Sequence, residues 1–185
     1  MPSLPIHSID PGLLARVNNP STRDAAFGAF YDVFARRVYA YALRMTKCQD
    51  GAADITQETF IRVHAHLKRG NTIVDPLPFL LMLARQRMAN VRRDHKDTHE
   101  VSADDLVVDP YHAIHAADLS THIGNAVEAL PPQLREAFIL RYYDGLPYED
   151  IAALLTDKPG AIRMRVLRAK AMLRSALLHI KEAEQ

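Results

Sequence analysis

Apolar side chains recur every three or four positions along most of the chain, and no stretch alternates apolar and polar residues as a half-exposed strand does. This period matches the turn of a helix and predicts an all-α protein. A short helix is expected from Asp10 through Val17, and Ser21 is the expected N-cap of a longer one. One face of the longer helix carries an apolar, largely aromatic stripe: Phe27, Phe30, Tyr31, Phe34, Val38, Tyr41 and Met45.

Two further helices are expected in the first half of the chain. The third spans about 52–67, after a break at 47–51, and it ends before Gly70. The fourth spans about 78–93 and opens on Pro78. A first turn tolerates proline, because the N–H that proline lacks would have no helical partner there.

The helical period is lost between residues 97 and 118, where acidic residues accumulate. Such a stretch predicts a linker that divides the chain into two small helical domains, 10–96 and 119–181. In the second domain, two helices are expected before the turn at Asp144 and Gly145, and a short helix then precedes a long last one.

Composition limits the kinds of partner. The 185 residues carry a formal net charge of +1, so a nucleic-acid surface has to come from local segregation of charge. A lone cysteine, Cys48, excludes an internal disulfide and a paired-cysteine metal motif. The N-terminal residues lack the regions of a signal peptide, and no apolar run is long enough to span a bilayer. These features are typical of a soluble cytoplasmic protein.

The nine histidines do not form a recognisable metal motif. Those near the predicted linker lack a fixed i, i+4 pair with a nearby cysteine, and His64 and His66 cannot share a helix face. No glycine-rich phosphate loop, nucleophile elbow or paired-acid arrangement occurs. We therefore expect no metal, no cofactor and no enzymatic activity.

The last two helices have the pattern of a DNA-binding helix-turn-helix. Residues 156–159 turn the chain, and no acid occurs from Lys158 to Arg174, where arginines and lysines project outward. In such a motif the second helix enters the major groove and flanking cations contact phosphates. The alternative is an amphipathic hairpin whose basic face is only solvated. The expected inner face of the second helix consists of Ile162, Val166, Ala169 and Leu173.

Three segments of the second domain resemble region four of bacterial sigma factors: 130–141 (LPPQLREAFILR), 145–152 (GLPYEDIA) and 162–169 (IRMRVLRA). The resemblance implies that the last helix reads the minus-35 promoter element. Asp157 departs from the family pattern and is an expected N-cap of that helix. Because Ala161 and Met164 also depart from it, the promoter sequence does not carry over. The residues that the resemblance assigns to minus-35 DNA are Lys158, Ala161, Arg163, Met164, Arg165 and Arg168.

Residues 54–62 (DITQETFIR) resemble the region-two signature of the same family. Asp54, Glu58 and Arg62 recur every four residues and form a polar stripe, with Gln57 within the same turns. In the family this stripe grips the clamp helices of the largest polymerase subunit. Regions two and four without a middle region resemble the extracytoplasmic-function group. For the stripe alone, the alternative is ordinary pairing of surface charges.

The fourth helix is similar to the promoter-melting and minus-10 segments of region two. The chain has no tryptophan, although relatives carry one near the position of Leu80, so melting is expected to rely on Phe79 or other apolar contacts. The resemblance as a whole implies a sigma factor that brings the polymerase core, through its clamp helices and flap, to promoter DNA, with no membrane partner. The residues that it assigns to minus-10 DNA are Arg85, Gln86, Asn90 and Arg93.

Most relatives carry acids directly before the stripe, where this chain has Gly51, Ala52 and Ala53. Some groups that lack these acids are activated by a Ser/Thr kinase, and an anti-sigma factor is the other restraint that the resemblance implies. A phosphate on Thr56 would add about −1.5 to −2 charges, in what is expected to be the first turn or so of a helix. The alternatives are a half-buried Thr56 that fills a valine-shaped space, and phosphorylation at Thr59.

Two other classes of function fit part of the sequence. A dimeric helix-turn-helix regulator would bind a palindrome without polymerase and would not need the polar stripe. An adaptor would bind a protein partner and would show no salt-dependent binding to DNA.

Overall fold

The computed structural model of the chain describes residues 10–96 and 117–183, and every regular element in these two segments is a helix. The all-α prediction is therefore confirmed. The contacts divide the chain into two compact units at Val107 and Val108. Most of the predicted linker lies outside the described residues, and the predicted domain limits stay predictions. The helices are α1 (Pro11–Asn18), α2 (Arg23–Thr46), α3 (Gln49–Lys68), α4 (Pro76–Lys96), α5 (Ala117–Glu128), α6 (Pro132–Tyr142), α7 (Tyr148–Leu155) and α8 (Pro159–Ala183).

Side chains cap α1 at both ends. The Asp10 carboxylate accepts a hydrogen bond from the Gly12 N–H at 2.9 Å, as an N-cap does. At the other end, Nε of the buried Arg23 donates to the Val17 carbonyl at 3.3 Å. The prediction that Ser21 caps α2 was wrong, because the turn continues to Thr22 and the Ser21 N–H is bonded to Asn19 Oδ1 at 3.0 Å.

The aromatic stripe of α2 forms the centre of the first unit. Phe30, Phe34 and Tyr41 are buried, whereas Phe27 is half-buried and Tyr31 is exposed at the edge of the stripe. The Tyr31 ring centroid lies 4.6 Å from that of Phe60 on α3. The stripe therefore joins α2 to α3, and its outer edge stays open to solvent.

The start of α3 lies earlier than predicted. Cys48 is its N-cap, with Sγ accepting from the Gly51 N–H at 3.4 Å, so the helix begins at Gln49. Thr56 is consequently in the third turn rather than the first. The expected help from the helix dipole fails for this residue, because that effect fades beyond the first turn.

The fourth helix is tied to the first across the unit. Asn18 Nδ2 donates to the Ile73 carbonyl at 2.8 Å, and Asn18 Oδ1 accepts from the Ile73 N–H at 2.8 Å. These two bonds fix the segment before α4, which begins at Pro76, one turn or less before the predicted Pro78. The buried face of α4 consists of Leu77, Leu80, Leu81, Ala84 and Met88.

The second unit is built around the inner face of α8. Ile162, Val166, Ala169 and Leu173 are all buried, as predicted. Against them pack helices α5, α6 and α7. Ile139 of α6 is fully buried as well, although the sequence pattern had not singled it out.

Candidate nucleic-acid interface and the α3 stripe

The turn between α7 and α8 sets the start of the outward-facing cations. Thr156 ends α7 in the left-handed conformation, with φ of 56°, and α8 begins at Pro159. Lys158, Arg163 and Arg168 are exposed, and Met164 is 48% exposed between them. Of the predicted minus-35 residues, Arg163, Met164 and Arg168 therefore lie on the outer side of α8 and Lys158 directly precedes the helix, whereas Ala161 and Arg165 are half-buried.

Arg165 is held by Asp157 rather than pointing freely outward. Its Nη2 forms an ion pair with Asp157 Oδ2, and each side chain is 26% exposed. Asp157 Oδ1 also accepts from the Lys158 N–H at 2.7 Å. The prediction that Asp157 is the N-cap of α8 was wrong, because the helix begins two residues later and the carboxylate bonds within the turn instead.

Tyr148 supports a second arginine of the same surface. It is the first residue of α7, and the guanidinium of Arg163 on α8 lies 5.2 Å from its ring centroid. Arg141 lies 4.8 Å from the same centroid and donates from Nη1 to the Leu146 carbonyl at 2.9 Å. Sequence reasoning had not assigned a role to Tyr148, because its partners lie on other helices and leave no periodic signal.

The predicted polar stripe exists on α3. Glu58 Oε1 and Arg62 Nε form an ion pair at 2.8 Å, with side chains that are 37% and 35% exposed. Asp54, one turn before Glu58, is exposed, and so is Gln57. The stripe therefore presents the exposed Asp54 carboxylate and Gln57 amide beside the ion pair of Glu58 and Arg62.

An open groove of about 440 Å³ lies next to this stripe, between α2 and α3. Thr56 lines the groove, but it is only 5% exposed and its hydroxyl donates to the Ala52 carbonyl at 2.7 Å. Thr59 is fully buried and donates to the Ile55 carbonyl at 2.7 Å. The other residues of the groove are Tyr31, Ala35, Arg36, Tyr39, Ala53 and Gln57.

On α4, the predicted minus-10 residues differ in exposure. Gln86 is exposed, Arg85 and Asn90 are half-buried, and the side chain of Arg93 lies outside the described part of the chain. Leu80, the residue nearest to the position of the relatives' tryptophan, is fully buried in the core. Phe79 is half-buried, and its ring centroid lies 4.8 Å from that of His66.

Within residues 10–96 and 117–183, no group of three or more His, Cys, Asp or Glu side chains is arranged to hold a metal ion. Of the histidines near the predicted linker, His122 has a described side chain, and the others fall outside. In the same two segments, no helix is long and apolar enough to cross a membrane.

Two family profiles match the chain. Sigma-70 region 2 matches residues 30–98, and Sigma-70 region 4 matches residues 122–173. The first match covers α2 from Phe30 onward and all of α3 and α4, and the second covers the end of α5, all of α6 and α7, and the first part of α8.

Curated relatives include two sigma factors with similar identity. The chain is 34% identical over 166 residues to the RNA polymerase sigma factor CarQ of Myxococcus xanthus, and the match covers 84% of this chain and 92% of CarQ. It is also 34% identical over 161 residues to the ECF RNA polymerase sigma factor SigE of Mycolicibacterium smegmatis. That match covers 82% of this chain but only 62% of SigE.

Among solved structures, the fold is similar to the sigma factor RpoE of Bartonella quintana, which was determined with the anti-sigma factor NepR. The TM-score is 0.67 at 23% identity, covering 82% of this chain and 96% of RpoE. The structure of CnrH in complex with the cytosolic domain of CnrY gives a TM-score of 0.65 at 22% identity, covering 92% of this chain and 97% of CnrH.

Proposed function

Because the chain belongs to the ECF RNA polymerase sigma factors of the sigma-70 family, we propose that α3 docks it on the polymerase core while α4 and α8 read two promoter elements. A sigma factor directs the initiation of transcription and is not itself an enzyme. For this chain we place that activity in the cytoplasm. The observation that carries the proposal is the outer side of α8, which presents Arg163 and Arg168 next to Lys158 of the preceding turn, while the inner face of the helix is buried.

Docking to the core is assigned to Asp54, Gln57, Glu58 and Arg62. Asp54 and Gln57 are exposed and have donors and acceptors available to a partner, and the Glu58–Arg62 pair holds its two charges in a fixed place beside them. We propose the clamp helices of the largest subunit as the partner of this stripe and the polymerase flap as the partner of the second unit.

The minus-10 element is assigned to α4 and the minus-35 element to α8. The minus-10 element would be contacted by four side chains of α4: Arg85, Gln86, Asn90 and Arg93. On α8, exposed cations would neutralise phosphates and arginine would read base edges in the major groove. Phe79 supplies the apolar contact of the melting step, since Leu80 belongs to the core.

A transcription assay tests this function. The purified chain is added to core polymerase and genomic fragments, and the start sites are mapped. We expect starts at a small set of promoters that share an upstream and a downstream element, and none with core alone. Failure to bind core, with or without prior kinase treatment, would contradict the proposal. A footprint of the chain on a palindrome without polymerase would favour a dimeric regulator. The absence of salt-dependent binding to DNA would favour an adaptor.

We also propose that a kinase controls the chain through phosphorylation of Thr56. Thr56 lines an open groove beside Gln57, whereas Thr59 is fully buried, so Thr56 is the better acceptor of the two. Its hydroxyl is bonded to Ala52 within the helix, so a kinase would need α3 to open locally. A phosphate in the groove would add negative charge next to the stripe, where relatives carry acids, and Arg36 is another residue that lines this groove.

Four forms of the chain test this control: wild type, Thr56→Val, Thr56→Glu and Thr59→Val. Valine matches the shape of threonine and removes the acceptor. We expect kinase treatment to raise the affinity of the wild type and of Thr59→Val for core polymerase, and to leave Thr56→Val unchanged. Equal affinities of the treated and untreated wild type for core polymerase would contradict kinase control of the chain.

Restraint by an anti-sigma factor is the other form of control that we propose. One solved structure with a similar fold, that of RpoE from Bartonella quintana, is a sigma factor in complex with the anti-sigma factor NepR. For this chain, a protein that competes with core polymerase for the first unit would be recovered by affinity capture from uninduced cells. Competition between the captured protein and core, measured with purified components, tests this part separately from kinase control.

A further inference from the structure

The Asp157–Arg165 pair lies at the start of α8, on the surface assigned to DNA. We propose that Asp157 is a specificity-determining residue, which positions the Arg165 guanidinium to read one base pair of the upstream promoter element. This inference rests on the proposed function, because it assigns a role within the DNA surface of α8.

Both oxygens of the Asp157 carboxylate have a partner. Oδ1 accepts from the Lys158 N–H at 2.7 Å, and Oδ2 is paired with Arg165 Nη2. The backbone of the turn therefore fixes the carboxylate, and the carboxylate in turn fixes the guanidinium. At 26% exposure each, the two side chains are less screened by solvent than a pair on an open surface, so the arginine keeps one orientation.

The position of Arg165 on the helix suits a contact with bases. It lies in the second turn of α8, and the N-terminal part of a recognition helix is the part that contacts base edges. Helical side chains lean toward the N-terminus, which is why Arg165 reaches back to the turn. Ala161 precedes it by one turn and carries only a methyl group, which leaves room for a base pair beside the guanidinium.

The chemistry of the pair predicts a distinctive result on removal of the carboxylate. A guanidinium has five N–H donors, and those not used by Asp157 can bond to O6 and N7 of guanine. An acid on a cationic surface repels phosphates, so Asp157→Asn should strengthen binding to any duplex while it loosens Arg165. Asp157→Asn should therefore raise the affinity for DNA of any sequence and, at the same time, lower the preference for one base pair over the others at a single position.

The test uses holoenzyme assembled from the full chain and core polymerase. A promoter mapped with the wild type is rebuilt as a library that is randomised across its upstream element, and bound duplexes are sequenced. The variants are Asp157→Asn, Arg165→Lys, Arg165→Met with and without Asp157→Asn, and the control Glu149→Gln. Glu149 is an exposed acid in the first turn of α7, so its substitution makes the same change of charge without touching the pair.

We expect Asp157→Asn to lower the preference at one base-pair position by about tenfold, the size of one lost arginine contact. Arg165→Lys should lose preference at the same position, and binding to an unrelated duplex should become tighter only for Asp157→Asn and Glu149→Gln. Glu149→Gln should leave every base preference as in the wild type. In an Arg165→Met background, Asp157→Asn should change the preference at that position no further.

Three results would overturn the inference. The first is an unchanged base preference in Asp157→Asn, which would make the acid a repelling charge alone. The second is a loss spread over all positions, accompanied by a lower melting temperature, which would indicate a structural role. The third is an additional effect of Asp157→Asn in the Arg165→Met background. A wild-type holoenzyme without any upstream preference would instead overturn the proposed function, and this inference with it.

Discussion

The guanidinium of Arg163 on α8 lies over the ring of Tyr148 on α7, 5.2 Å from the ring centroid. The first helix of the helix-turn-helix therefore positions a cation of the second. A cation over an aromatic ring is stabilised by about 0.5–1 kcal/mol at an exposed site. This contact and the Asp157–Arg165 pair hold in place two arginines of the surface that we propose binds DNA.

Removal of the Tyr148 ring should weaken promoter binding. We expect Tyr148→Leu to lower the affinity of the holoenzyme for its promoter by about two- to fivefold, because Arg163 then has to be ordered on binding. Tyr148→Phe keeps the ring and should bind like the wild type. Titration of labelled promoter duplex with each holoenzyme measures the difference, and equal affinities for the leucine and phenylalanine variants would contradict the positioning role.

The exposed cations Arg168 on α8 and Lys158 directly before it should set the salt dependence of DNA binding. We expect Arg168→Gln and Lys158→Gln each to reduce the slope of log affinity against log salt concentration by about 0.9, the contribution of one phosphate contact. Lys68→Gln, at the exposed end of α3, is the matched control and should leave the slope unchanged. Binding of holoenzyme to promoter duplex, measured at several KCl concentrations, gives the slopes. A slope that changes in neither Arg168→Gln nor Lys158→Gln would mean that these cations are only solvated.

Helical periodicity predicted the elements and buried faces of both units. The inner face of α8 and most of the α2 stripe lie in the cores, as predicted. Apolar residues three or four positions apart share one face of a helix, so the sequence itself shows which face is buried. The polar stripe of α3 followed from the same rule, since Glu58 and Arg62 are one turn apart.

Contacts between distant residues left no such signal. Asn18 and Ile73 are 55 residues apart, and Asp157 pairs with Arg165 across a turn. The sulfur of Cys48 as the cap of α3 was also missed, since cysteine is not among the usual capping residues. Because of that cap, α3 begins at Gln49, and Thr56 lies beyond the first turn, where the helix dipole would favour negative charge.

The two hydrogen bonds between Asn18 and Ile73 should contribute to the stability of the first unit. We expect Asn18→Ala to lower the free energy of unfolding by about 1–3 kcal/mol, because it leaves the Ile73 N–H and carbonyl without their partner in a part-buried place. The control is Asn71→Ala, which removes a single exposed bond to the His66 carbonyl. Urea unfolding of the full chain measures both, and equal effects would contradict the role of Asn18 as a tie.

The α3 stripe should affect core binding far more than it affects stability. We expect Asp54→Asn to weaken binding to core polymerase by about tenfold, the size of a lost hydrogen bond to a charged group, with an unchanged melting temperature because Asp54 is exposed. Glu58→Gln should cost only about 0.3–0.5 kcal/mol of stability, because it breaks a half-exposed pair within one helix. Asp75→Asn, an exposed acid outside the stripe, is the control in the same binding assay. Equal core affinities for Asp54→Asn and Asp75→Asn would leave the stripe as ordinary surface charge.

Tryptophan should be tolerated at residue 79 but not at residue 80. Leu80 is fully buried, so Leu80→Trp overpacks the core and should lower the free energy of unfolding by about 1–3 kcal/mol. Phe79 is half-buried against His66, and Phe79→Trp should keep the stability while it offers a larger ring to an unstacked base. Promoter opening, measured by the reactivity of unpaired thymines, should rise in Phe79→Trp and fall in Phe79→Ala. Increased opening in a stably folded Leu80→Trp would instead assign the melting contact to residue 80.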